Sequence, residues 1–170
     1  LIGDQIGGTL VLAAAALVLA WVLALVVATV ATLGRRAGWA VGLFRGAEVV
    51  ASVMPHFWLG AVLIAIFAGG LGWLPATSPT NSPAALLLPA ITLAVPVAGF
   101  LGQVMRDSLD EAHRAPFATS SRTRGASEQW VLWRHSLRHA ALPAIALSGW
   151  AFGSLLSGAV VVETLFSRPG

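Results

Sequence analysis

TLVLAAAALVLAWVLALVVATVATL, residues 9–33, contains no charged side chain, and its only hydroxyls belong to Thr9, Thr29 and Thr32. A helix of that length rises about 37 Å at ~1.5 Å per residue, enough to cross a hydrocarbon core of about 30 Å with some tilt. A secretory leader would have a charged start and a short apolar centre. Neither is present, so this stretch reads as a true membrane span.

The rest of the chain follows the same pattern. Of 170 residues, 57% are hydrophobic and 10% charged, far from the roughly 25% charged residues of a soluble domain. Residues 49–105 contain no Asp, Glu, Lys or Arg, yet they are too many for one helix. The segment AGGLGWLPATSPTNSP, residues 68–83, divides them with helix-averse residues. Spans are therefore expected at 47–67 and 84–105, and a fourth at 140–162, between His139 and Glu163. The predicted fold is an all-α polytopic transmembrane bundle, one domain over 1–170.

Arginine placement orients the bundle. The first connection holds Arg35, Arg36 and Arg45, the second holds none, and the third holds Arg106, Arg114, Arg122, Arg124, Arg134 and Arg138. The first and third are therefore cytoplasmic, and alternation puts both ends outside. Trp39 and Trp73 fall at expected interfaces, as membrane anchors do. Ends on the outside, with Leu1 in place of an initiator methionine, give the expectation of an internal piece lacking at least one span on each side.

Composition removes several chemistries. All ten cations are arginine, so there is no P-loop lysine and no Schiff-base lysine. Cysteine is absent, which rules out disulfides and thiolate metal sites. The arginines lie between apolar runs and form no aromatic-interleaved stripe, so nucleic acid is not an expected partner, and the lipid bilayer is. His135 and His139 sit one turn apart without a third ligand, and no metal site is assigned.

Local features leave pairs of readings open. His56, directly after Pro55 and about two turns inside the second span, either lines a path or bonds a carbonyl freed by the proline. Pro89, Pro96 and Gln103 recur every seven residues, so that face either lines a path or packs on a neighbour, with Gly99 and Gly102 permitting close approach. Residues 127–139 read as an amphipathic interfacial helix, N-capped by Ser127, with Trp130, Trp133 and Leu137 as its buried stripe.

Three stretches, in order, resemble the membrane subunits of ABC importers of the dipeptide, oligopeptide and nickel permease family. They are PHFWLGAVLIAIFAGGLGWLPA (55–76), the run from Arg106 and Glu111 through APFATSSRTRGASEQWVLWRHSLRHAALP (115–143), and VVETLFSRPG (161–170). The Phe-Trp-Leu-Gly and Gly-Trp-Leu-Pro elements are similar to the B-type subunit. The second stretch is similar to the family's EAA loop, in which a short coupling helix ends at a glycine and docks on an ATPase subunit.

The resemblance implies a multi-pass subunit of the bacterial inner membrane forming half of a translocation path for peptides or nickel. Its implied partners are a second homologous permease subunit, two cytoplasmic ATPase subunits that hold ATP and Mg, and an extracytoplasmic substrate-binding protein. No catalytic, cofactor or metal site is implied on this chain. It further implies that 106–143 couples to the ATPases through Glu111, Phe117, Arg122, Arg124, Gly125 and Pro143, with 113–125 as the coupling element.

Glycine suits the end of such a helix because it enters the left-handed region freely, and Arg122 and Arg124 can bond carboxylates of a partner. The chain departs from the family pattern at His56, Thr119, Ser121, Thr123 and His139. Two other classes remain as alternatives. A helical scaffold or channel would not need the Gly125 loop. An intramembrane enzyme lacks a span Asp, a His-Glu-x-x-His and a Gly-x-Ser-x-Gly.

Overall fold

The computed structural model describes residues 2–33, 38–75, 77 and 83–167, and these are helical almost throughout. Seven α-helices follow one another: α1 (Ile2–Leu33), α2 (Gly38–Val53), α3 (His56–Leu63), α4 (Pro83–Arg114), α5 (Pro116–Thr123), α6 (Glu128–Val131) and α7 (Leu137–Leu165). Wider π-helical turns extend α3 through Ile64–Gly70 and join α6 to α7 through Leu132–Ser136.

Between lipid-soluble helices burial of apolar surface gives little net drive, so close packing of small residues decides which faces meet. In α1 the fully buried positions are Leu12, Ala13, Ala16, Ala20 and Ala28, with Ala24 beside them, while Val11, Val18, Val22, Val26 and Val30 are exposed. This alanine ridge lies in a core shared with α4 and α7. In α7 the ridge is Ala140, Ala144, Ala151, Leu155 and Ala159. Hydroxyls within the bundle satisfy themselves by donating to carbonyls of the previous turn, as Thr32 does to Ala28 and Thr92 to Leu88, both at 2.8 Å.

Cross-helix contacts fix the directions. Thr9 Oγ1 donates to Glu163 Oε2 at 3.1 Å and Trp21 Nε1 to Ser148 Oγ at 2.9 Å, so α1 and α7 are antiparallel. Phe100 meets Trp150 at 5.0 Å between ring centroids, and His113 meets Ser136 at 3.2 Å, so α4 and α7 are antiparallel as well. Helices α1 and α4 thus run parallel, and the chain between them must return across the bundle.

That return is not the single helix expected at 47–67. Among the described residues three helices, Ile6–Thr32, Ala84–Arg114 and Glu128–Leu165, are long and apolar enough to span alone. The fourth crossing is the pair Gly42–Val53 and His56–Gly70, bent by 107°. Pro55 causes the break: it is extended, with φ −66° and ψ 132°, and proline pushes the residue before it out of the helical region. His56 is therefore the first residue of a new helix, not a residue two turns inside an old one.

The segment expected as a loop at 106–139 is also mostly helix. Met105, Leu109 and Ala112 continue the buried face of α4, carrying it to Arg114. Residues 127–139 do not form a separate strut, because Glu128–Leu165 is one helix of 38 residues with Pro143 inside it. At about 57 Å it is nearly twice the hydrocarbon thickness. Toward the bundle this helix buries Val131, Leu132 and Ser136 and partly Leu137, while Trp130 and Trp133 of the expected interfacial stripe face away from the rest of the chain. Trp73 is exposed and tilts against Phe67 at 6.2 Å. The Trp39 side chain, Arg35, Arg36 and 168–170 lie outside the described set.

Candidate coupling element

Helix α5 is defined at both ends by its sequence. Ala115 is extended and Pro116 opens the helix, the position where a missing N–H costs nothing. At the other end Gly125 takes φ 87°. The Gly125 amide donates to Arg122 O at 2.9 Å and the Ala126 amide to Ser121 O at 3.1 Å, the paired bonds of a Schellman termination. Two residues on, the Ser127 hydroxyl accepts from the Trp130 amide at 3.3 Å, so the expected N-cap is in place.

The turn between α5 and α6 is held by a polar clasp. Arg122 grips Glu128 with both arms, Nε to Oε1 at 2.9 Å and Nη2 to Oε2 at 3.2 Å, and its Nη1 donates to the His113 carbonyl at 2.9 Å. The His113 ring lies 2.7 Å from Glu128 Oε2 through Nε2, and 3.2 Å from Ser136 Oγ through Nδ1. The end of α4, α5 and the start of the last helix are thereby one unit. Arg122, expected to bond a partner's carboxylate, already holds one from its own chain. Arg124 is exposed, with Nη1 donating to Ser120 Oγ at 3.0 Å.

A second tie is aromatic. The Phe117 ring lies 4.8 Å from His139 and 6.2 Å from His135, and Trp130 meets His135 edge-on at 5.0 Å. The two histidines thus serve as a platform for α5, and no metal-ligating cluster occurs among the described residues. Ala118 and Ser121 are buried beneath α5, which leaves Thr119, Ser120, Thr123 and Arg124 on its open face.

The remaining candidates lie elsewhere. Glu111 is exposed near the end of α4, beside Asp107, Asp110 and Arg114. Pro143 lies inside α7, one turn beyond His139. His56 sits against Gly158, and its Nε2 is buried with no hydrogen-bond partner among the described residues, the carbonyls freed by Pro55 included. Gln103 Nε2 donates to Ser52 Oγ and Gly99 O, each at 3.1 Å, and approaches Glu48 O at 3.4 Å. Its amide is occupied between helices, which favours the packing reading of that face.

Two residues outside the sequence motifs matter, His113 in the clasp above and Glu48. Glu48, 5% exposed, pairs with Arg106 across α2 and α4, Nε to Oε2 at 2.7 Å. Its signal was present: a carboxylate falling inside an expected span.

Residues 24–170 match the family model described as binding-protein-dependent transport system inner membrane component. Among curated proteins, the chain is similar to the glutathione transport system permease protein GsiC of Salmonella typhimurium (strain LT2), of Escherichia coli (strain K12) and of Salmonella choleraesuis (strain SC-B67). Each is 39% identical over 116 residues. The matched stretch is 68% of this chain and 38% of each relative. The four-crossing α-helical bundle and these matches agree, and the chain belongs to the family of inner-membrane permease components of binding-protein-dependent ABC importers.

Proposed function

We propose that this chain forms part of one half of the translocation path of an ATP-driven peptide importer, and that α5 with its Gly125 turn receives the stroke of a separate ATPase subunit. The observation that carries this reading is the way α5 is mounted. A mechanical input needs a short element that protrudes, presents a free face and is rigidly tied to the spanning helices. Helix α5 presents Thr119, Ser120, Thr123 and Arg124, while Arg122, Glu128, His113 and Phe117 bind it to α4 and the last helix. A second permease subunit, two ATPases with their ATP and Mg, and an external binding protein complete the machine.

The peptide class rests on the relatives, whose name assigns them glutathione transport. The test uses the full-length permease assembled with its companion permease, ATPases and binding protein in proteoliposomes. Uptake of glutathione, a dipeptide and nickel is compared, with ATP hydrolysis followed in parallel. Peptide uptake linked to hydrolysis is expected. Nickel uptake without peptide uptake would overturn the solute class, and unchanged uptake and hydrolysis after exchange of Gly125 and Arg124 would overturn the coupling role.

A further inference from the structure

We infer that Glu48 and Arg106 are positioning residues of the transport cycle: their buried ion pair is the joint through which movement of the coupling element reaches the broken crossing helix. This rests on the proposed ATPase-coupling role of α5.

The pair stands between the two ends of that linkage. Along α4, Arg106 is about two turns before Arg114, where α4 ends just ahead of α5. Along α2, Glu48 is about one and a half turns before the break at Met54 and Pro55. A shift of the cytoplasmic end of α4 therefore acts on α2 at Glu48, and α2 carries it to the break and to His56.

The seam around the pair is toothed. A methyl group on Gly99 would lie 2.6 Å from both Glu48 O and Ser52 N, and one on Gly102 would lie 3.1 Å from Glu48 Oε1. The helices touch backbone to backbone, and the Gln103 amide bridges them beside that contact. Helix α2 cannot slide along α4 unless this register is lost. Along the seam runs an open apolar groove of about 270 Å³, lined by Leu23, Val27, Phe44, Ala51 and Val95 together with Glu48, so no side chain of this region fills the space beside the pair.

An ion pair is a poor choice for adhesion alone. The two side chains are 4% and 9% exposed, and well-packed apolar residues would hold such a contact at least as firmly. What charge adds is direction and register. Moreover, Glu48 Oε1 is buried and has no hydrogen-bond partner among the described residues. It offers Arg106 a second acceptor beside the one it occupies, so the guanidinium can change oxygens as the helices shift without being stripped of its counter-charge.

The test uses the assembled full-length transporter in proteoliposomes, scored as solute taken up per ATP hydrolysed and as hydrolysis without binding protein, each per assembled complex. Three variants are compared: Glu48→Gln, the charge exchange Glu48→Arg with Arg106→Glu, and the apolar pair Glu48→Met with Arg106→Met. The apolar pair is expected to assemble and hydrolyse ATP, yet to lose uptake per ATP by about fivefold or more. Glu48→Gln should behave similarly, and the charge exchange should recover part of the ratio.

An apolar pair with the wild-type ratio would overturn the inference. So would a proportional loss of uptake and hydrolysis, or failure of every variant to assemble, because each assigns the pair to folding alone. A wild-type complex that binds no ATPase sinks the coupling role itself and is recognised before any variant is made.

Discussion

Gly125 concentrates the coupling element's geometry in one dihedral angle. At φ 87° an L side chain is strained, although open space surrounds the position and nothing lies within 4 Å of an added Cβ. The cost of Gly125→Ala is therefore conformational, about 1–2 kcal/mol on the end of α5, and not a clash. We expect it to weaken solute-stimulated hydrolysis and to speed amide exchange across 116–126. Gly125→Asn should do less harm, because asparagine tolerates the left-handed region. Equal effects of the two would show that the side chain, not the dihedral angle, matters. The clasp beside it should behave differently. Glu128 is 62% exposed, so Glu128→Gln should cost at most about 1 kcal/mol by thermal unfolding in detergent, and less at high salt. Ser127 and Gly125 were legible because capping and termination are local chemistry. The partner of Arg122 was not, since a bond from one helix to the next across a turn leaves no periodic trace.

At the scale of elements, hydropathy located the helices and said little about their rotation. In α1 both faces are apolar, and what separates them is size: alanine at four-residue steps faces the bundle, and valine faces away. That pattern was on the page in residues 9–33 but is invisible to a scale that scores alanine and valine alike. The consequence can be tested. Ala20→Leu should wedge α1 from the core and cost about 1–3 kcal/mol, whereas Val22→Leu on the exposed face should be close to neutral. Thermal melts of the detergent-solubilised permease separate the two, and an equal loss from both would mean that α1 is turned the other way. Pro55 did announce a disturbance in the second span, but a proline fixes only where a helix is interrupted. The 107° change of course comes from what the two halves meet, α2 lying on the glycines of α4 and α3 turning toward Gly158 and Leu165. Likewise, charges at 106, 107, 110 and 111 hid the apolar face that continues α4 beyond its span.

At the scale of the molecule, arginine placement and packing give the same topology by independent routes. The charge bias needs the segment after α3 to be external and α5 to be cytoplasmic. The packing needs the broken pair to cross, because α1 and α4 are parallel and the chain from one to the other has to change sides. A re-entrant pair would satisfy neither. These 170 residues contain no cysteine, so single cysteines placed here report without background once any elsewhere in the full-length permease are replaced by serine. Leu71→Cys, just past the end of the broken pair, should react with an impermeant maleimide in intact spheroplasts and stay protected in inside-out vesicles. Ser120→Cys, on the open face of α5, should show the reverse. Both positions are exposed, so failure to label from the expected side would not reflect burial within this chain. If instead Leu71→Cys labelled from the cytoplasmic side and Ser120→Cys from the outside, α2 and α3 would form a re-entrant hairpin and α4 would have to run against α1. That arrangement would make α1 and α7 parallel and so pull apart the Thr9–Glu163 and Trp21–Ser148 contacts between them.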